Sequence, residues 1–204
     1  MGRSVEANEQ MKETRRALIL SCALRLFASN GLAATKISHI AKAAGMSQGL
    51  LYHYYQSKEQ IYVELIRHAF ERMNMAAQGL ETLNLSPIEK IKLAIEELFA
   101  GFEKNENTAL YHLLIAQAAA SEAIPNEAKS IIQRESKIPY EIMSRIIAEG
   151  QIKGEISSDF SSDELSLVFW TTIKGLALHK GTHGARVKLP DSRIMIKIFL
   201  NYEE

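Results

Sequence analysis

The segment from Thr35 to Tyr55, TKISHIAKAAGMSQGLLYHYY, limits what this chain can fold into more than any other feature. Ile37, Ile40, Ala41 and Ala44 recur at i, i+3, i+4 and i+7, which gives one apolar helix face. Thr35 has the chemistry of an N-cap. Gly45 permits the left-handed backbone of a tight turn. Ser47 then caps a second short helix, in which Leu51 and Tyr55 fall four apart and face inward. Two short helices, a three-residue turn and a small residue at their crossing, Ala41, form a helix-turn-helix. The outward face of the second helix carries Gln48, Gly49, Tyr52 and His53. A glutamine amide can bond both edges of adenine in the major groove, Gly49 allows close approach to a phosphate chain, and Tyr52 and Tyr54 offer hydroxyls. Lys58, just beyond, suits a phosphate contact. This face is expected to bind double-stranded DNA. A compact helical hairpin with a merely polar surface is the plainer alternative, and the density of hydrogen-bonding aromatics argues against it.

Charge agrees with that expectation. The chain is formally neutral, with 24 basic and 24 acidic side chains. Residues 1–58 hold eight Lys/Arg against Glu6, Glu9 and Glu13, a net charge of +5, so the other 146 residues are at −5. A polyanion is drawn to the first part and repelled by the second.

The rest reads as helix. Strand-like alternation is absent, and the patterning predicts helices at about 11–29, 36–44, 47–54, 58–79, 87–104, 106–121, 124–150, 162–181 and 190–201. Ser57–Gln60, Ser86–Glu89 and Ser161–Glu164 have capping-box spacing. Pro87, Pro125 and Pro190 stand at helix starts, whereas Pro139 falls inside the seventh helix and should kink or split it. The expected fold class is all-α with about nine helices: a helix-turn-helix domain at 1–57 and a larger helical domain at 58–204. No uninterrupted apolar run reaches the roughly 18 residues of a bilayer span. The N-terminus lacks a secretory signal pattern, and the single cysteine, Cys22, forms no intrachain disulfide. No membrane association and a cytoplasmic location are expected.

The pattern Ile19-Leu20-x-x-Ala23-x-x-Leu26-Phe27-x-x-x-Gly31-x-x-Ala34-Thr35, continued by Ile40-Ala41-x-x-Ala44-Gly45-x-Ser47-x-Gly49-x-Leu51-Tyr52-x-Tyr54-Tyr55-x-Ser57-Lys58, resembles the N-terminal signature of the TetR family of repressors. The resemblance covers about 40 residues; beyond them the agreement is in size and helical character, plus a Gly-x-x-x-Gly turn at 150–154. It implies a DNA-facing set of Thr35, Lys36, Ser47, Gln48, Gly49, Leu50, Tyr52, His53, Tyr54 and Lys58. Two positions depart from the family: Gln48 stands where Lys is frequent, and Leu50 where a hydroxyl residue is. These substitutions favour adenine and a thymine methyl as contacts, so no operator sequence is carried over.

Residues 165–178 and 194–200 are apolar almost all round, and a helix apolar on every face is buried on every face. In so small a chain this points to a second subunit. Leu165, Phe169, Ile173, Leu176, Ile194 and Ile198 are the expected contacts of a homodimer formed through the last two helices, and the resemblance implies the same. Packing within one subunit is the alternative. The resemblance also implies an effector pocket among the middle helices, for which Phe70, Met73, Phe99, Phe102, Tyr111, His112, Gln117, Tyr140, Met143 and Trp170 are candidates; for each, ordinary core packing satisfies the same pattern. Few charges interrupt Leu110–Ala120, so a mostly apolar small molecule fits best.

His179 and His183 have helical metal-ligand spacing, but Gly181 and Gly184 interrupt them and no third ligand follows, so no metal and no cofactor are expected. Cys22 is expected to be a buried small hydrophobe. The functional expectation is a ligand-responsive transcriptional regulator, a repressor released from a palindromic operator. A chromosome-organising protein of the same fold, acting through a protein partner, is the second class. An enzyme would need a nucleophile, a paired base or a phosphate loop, and none is recognisable.

Overall fold

The computed structural model describes residues 2–183 and 187–200. The expected end of the last helix at 201 and the break at Gly184 lie outside them. Among the described residues the chain forms ten helices: α1 (Gly2–Ala34), α2 (Ile37–Ala43), α3 (Gln48–Tyr52), α4 (Lys58–Thr82), α5 (Pro87–Lys104), α6 (Glu106–Ala119), α7 (Asn126–Glu135), α8 (Ile138–Ile152), α9 (Ser162–His183) and α10 (Ser192–Lys197). The count exceeds nine because the chain divides at Pro139: α7 stops at Glu135, and the proline sits in the first turn of α8, where its missing amide costs nothing.

Capping fixes most boundaries. The Ser86 hydroxyl accepts from the Glu89 amide at 3.4 Å while the Ser86 amide donates to Glu89 Oε2 at 2.8 Å, a complete capping box. Ser161 and Glu164 form another, at 3.3 and 3.0 Å. The Ser57 box is half made. Ser57 Oγ accepts from the Gln60 amide at 3.1 Å, but Gln60 Oε1 turns to the amide of Gln56 at 2.8 Å.

Two apolar cores run through the molecule. The first gathers Ile19, Leu24 and Phe27 of α1, Ile40 of α2, Leu51 of α3, Ile61, Leu65, Ile66 and Phe70 of α4, and Leu114, Ile115 and Ile131 of α6 and α7. It therefore extends past residue 58 and ties the helix-turn-helix to the larger part. The second joins the far end of α4 to α5, α8, α9 and α10 around Ile95, Phe102, Ile147 and Phe169. Residues Ala7–Ala34 of α1 are, by length and composition alone, long and apolar enough to cross a membrane. Here Ile19, Ala23, Leu24 and Phe27 of that stretch are wholly covered by the first core. Cys22 is buried and unpaired. The rings of His179 and His183 stack at 4.5 Å, and no cluster of three or more His, Cys, Asp or Glu forms among the described residues.

A candidate DNA interface and an internal cavity

The helix-turn-helix assembles as its sequence dictates. Ile40 and Ala41 of α2 and Leu51 of α3 are buried, and Gly45 turns the chain at φ 65°. The Ser47 hydroxyl accepts from the Leu50 amide at 3.1 Å and starts α3. Of the expected DNA-facing residues, Lys36, Ser47, Gln48, Gly49, Tyr52 and His53 are exposed, and Leu50 and Tyr54 are half-buried. Gln48 Nε2 donates to the Tyr52 hydroxyl at 3.4 Å, so these two side chains stand together on one face. Ser38, His39 and Lys42 of α2 are exposed too. Sequence reasoning passed over them because it read α2 only for its apolar side.

Thr35 and Lys58 require correction. Thr35 is fully buried, and its hydroxyl donates to the carbonyls of Gly31 at 2.7 Å and Leu26 at 3.3 Å. The N-cap of α2 is instead Lys36, without a side-chain cap bond. Lys58 Nζ donates to the carbonyls of Leu32, Ala33 and Thr35 at 2.8, 3.1 and 2.8 Å. The cause is the kink in α1 at Gly31, where φ is 74°. It leaves carbonyls at the end of α1 without helical partners, and a hydroxyl and an ammonium supply the donors. A cation there also suits the negative end of the helix dipole.

A polar node links α1 to the end of the reading head. Arg16 makes two bonds to Glu64, at 3.0 and 2.9 Å. The Tyr55 hydroxyl donates to the same carboxylate at 3.1 Å, and Arg16 lies over the Tyr55 ring, 5.2 Å from its centroid. Burial and the Glu64 charge push the Tyr55 hydroxyl well above its ordinary pKa, so it stays a proton donor.

Arg16 also lines a cavity of about 1010 Å³ bounded by α1, α4, α5, α6, α8 and α9. Its apolar lining includes Leu80, Leu98, Ile142, Met143, Phe169 and Trp170. Its lining also carries Glu13, Glu64, His68, Arg72 and Glu97, and one wall is a polar strip of α6 made of Asn107, Thr108, Tyr111 and His112. Burial, reinforced by the charge of Lys174, pushes the His112 imidazole down to about 4, so it is neutral at neutral pH. Its ring packs edge-on against Phe102, with centroids 5.4 Å apart.

Of the ten pocket candidates, Met73, Tyr111, His112, Met143 and Trp170 line this cavity. The other five stand elsewhere. Phe70 belongs to the first core, Phe99 and Phe102 to the second. Gln117 Nε2 donates to the Ala28 carbonyl at 3.0 Å and ties α6 to α1. The Tyr140 hydroxyl accepts from Lys174 Nζ at 2.7 Å beside a separate, smaller groove.

The expected dimer residues divide as well. Leu165, Phe169 and Ile173 are buried within the chain, and Leu176 is half-buried against the second core. They point inward because they share the α9 face that meets α8 and α6. Exposed apolar residues of α9 fall on the opposite side: Leu167 (54%), Val168 and Leu178 (48%), interleaved with Thr171 and Gly175. Ile194 and Ile198, at α10 and its end, are exposed.

The chain has recognisable relatives. Residues 19–65 match the profile described as "Bacterial regulatory proteins, tetR family". The HTH-type transcriptional repressor KstR2 of Mycobacterium tuberculosis is 24% identical over 161 residues, covering 79% of this chain and 80% of that one. Among solved structures, the MbdR regulator from Azoarcus sp. CIB superposes with a TM-score of 0.76 at 22% identity, over 92% of this chain and 97% of that one. The ketosteroid transcriptional regulator KstR2 of Mycobacterium tuberculosis gives 0.75 at 21%, over 92% and 96%. The helix-turn-helix segment at 19–65 therefore carries the TetR family signature, and the fold is shared along nearly the whole length of the chain with these regulators.

Proposed function

We propose that this protein is a transcriptional repressor that binds a near-palindromic operator as a homodimer and is released by a small, mostly apolar effector. The observation that carries the reading is the cavity lined in part by Arg16. A ligand filling it touches the residue that holds Glu64 and, through it, Tyr55 at the end of the reading head. Gln48, Gly49, Tyr52 and His53 are the groups that meet DNA, with Lys36 and Ser47 beside them. Leu50 and Tyr54 contribute where they emerge. The repressor KstR2 is a relative along most of the chain, and its structure is that of a ketosteroid regulator; an apolar effector for this protein follows from that likeness and from the Leu80, Leu98, Ile142 and Phe169 walls.

The exposed stripe of α9, with Ile194 and Ile198, supports a two-fold partner. Two reading heads then address half-sites about 34–36 Å apart, or a larger whole-turn spacing. Coupling of about 1–3 kcal/mol between effector and operator suffices for release. Operator DNA places this work in the cytoplasm.

Selection from randomised duplex DNA at fixed salt tests the reading. One enriched near-palindrome is expected. Gln48→Ala should then relax preference at a single base pair per half-site, by about 1–3 kcal/mol. Only salt-sensitive, sequence-blind binding, with and without apolar compounds, overturns it.

A further inference from the structure

Among the described arginines of the larger domain, Arg67, Arg134, Arg145 and Arg193 each hold a carboxylate, and Arg72 holds none. Arg72 lines the cavity from α4, one turn beyond His68, so both side chains stand on one face of that helix. Tyr111 reaches the same cavity from α6. Burial raises the pKa of its hydroxyl, and the nearby Arg72 charge pulls it partly back. The balance keeps that hydroxyl protonated and able to donate. Arg72 is exposed, while His68 and Tyr111 are half-buried. Neither His68 nor Tyr111 is bonded to another side chain among the described residues. The cavity's acids are disposed differently. Glu64 is taken by Arg16 and Tyr55, Glu13 adds its charge to Arg16, and Glu97 is a single exposed carboxylate on α5. Leu98, Met143, Phe169 and Trp170 offer the same cavity's apolar surface.

We infer that the effector carries a carboxylate on its apolar body, and that Arg72 receives this head group with the Tyr111 hydroxyl and His68 as further donors. A guanidinium meets a carboxylate through two parallel N–H···O bonds, a fit that a single-point cation lacks. Because Arg72 is exposed, it stays hydrated until a ligand arrives, and the pair forms without the large cost of burying a charge. A neutral carboxamide keeps one acceptor oxygen but turns an N–H group toward donors. An amine meets the guanidinium as a like charge. His68 and Arg72 follow Glu64 at one and two turns along α4, so the head group lies on the helix that carries the Arg16–Glu64–Tyr55 node. The inference rests on the effector reading above and narrows it to a chemical class.

Trp170 is the single tryptophan of the chain and lines the same cavity, so its fluorescence, read beside isothermal titration calorimetry, reports occupancy. Three ultraviolet-silent compounds on one scaffold serve as probes: trans-4-pentylcyclohexanecarboxylate, its carboxamide and trans-4-pentylcyclohexylamine. Each is titrated at neutral pH into the full-length protein and into Arg72→Gln, Arg72→Lys and Glu97→Gln, with far-ultraviolet circular dichroism verifying the fold. The carboxylate should bind about tenfold more tightly than the carboxamide, and the preference should shrink in high salt. Arg72→Gln should erase the preference while leaving carboxamide binding in place, and Arg72→Lys should restore part of it. Equal binding of carboxylate and carboxamide, a carboxylate preference that survives Arg72→Gln, or an amine preference that Glu97→Gln removes overturns the inference and leaves the cavity an effector site. Neither heat nor a Trp170 response with any probe overturns the effector reading of the cavity and the inference with it.

Discussion

Lys58 and His112 show how a polar residue's partners decide what its substitution does. Lys58 satisfies three carbonyls where α1 ends, so Lys58→Ala should lower stability by about 1–3 kcal/mol. The salt slope of DNA binding should stay as it was, because no phosphate contact is lost. Thermal melts with a salt series of operator affinity check this; an unchanged melting temperature with a slope lower by about one would return Lys58 to the phosphates. His112 works through linkage. Its folded pKa is depressed, to about 4 from 6.5. Between those values the unfolded chain binds the extra proton, so stability rises with pH across this window and is lost as pH falls through it. The loss at pH 5 is about 2 kcal/mol. His112→Phe should therefore melt with a smaller difference between pH 7 and pH 5 than the parent, and an identical difference would refute the assignment.

The helix ends show which parts of the fold are written locally. Gly150, in the last turn of α8, is hemmed in: an added Cβ would overlap the Ile156 side chain and lie 3.0 Å from Pro87 Cβ. Gly150→Ala should cost about 1–3 kcal/mol by overpacking. Gly175→Ala, on the open face of α9 with nothing within 4 Å, is a fair comparison for folding of the single chain. Chemical denaturation of both variants checks the contrast. The Gly-x-x-x-Gly turn was legible in sequence, though the reason for its first glycine was not, because Pro87 and Ile156 reach it from other segments. The same division runs through the site. Ser47, Gly45, Leu51 and the exposed Gln48–His53 face follow from spacing within one short segment, and sequence reasoning places them. Thr35 and Lys58 looked like surface groups because their partners depend on the kink at Gly31, which spacing does not reveal. Cavity residues were half legible: Tyr111 and His112 stood out as polar tips in an apolar helix, whereas Asn107 and Thr108 looked like ordinary residues of a helix start.

At the scale of the whole molecule, the unresolved choice in the sequence was which face of α9 serves the fold and which serves a partner. A helix apolar all round gives periodicity no purchase, and Leu165, Phe169 and Ile173 were as eligible as Leu167 and Leu178. Burial separates them. The first three close the chain's own core, while Leu167, Val168 and Leu178 lie on the opposite side, in water, with Ile194 at 62% exposed on α10. The two sets therefore predict different failures. Leu178→Glu and Ile194→Glu each place a charge on the exposed apolar surface and leave the core untouched, so the variant chain should keep its helical content and sediment as a monomer. Operator affinity should fall steeply with it, because a monomer engages one half-site and loses the linkage between two. Ile173→Ala instead removes buried methylenes and should cost about 2–5 kcal/mol of folding stability, with the surviving folded protein still dimeric at high concentration. Analytical ultracentrifugation beside circular dichroism distinguishes these outcomes. A Leu178→Glu, Ile194→Glu double variant that remains a dimer would mean that the two-fold surface lies away from α9 and α10, and that the exposed stripe meets something other than a second copy of this chain.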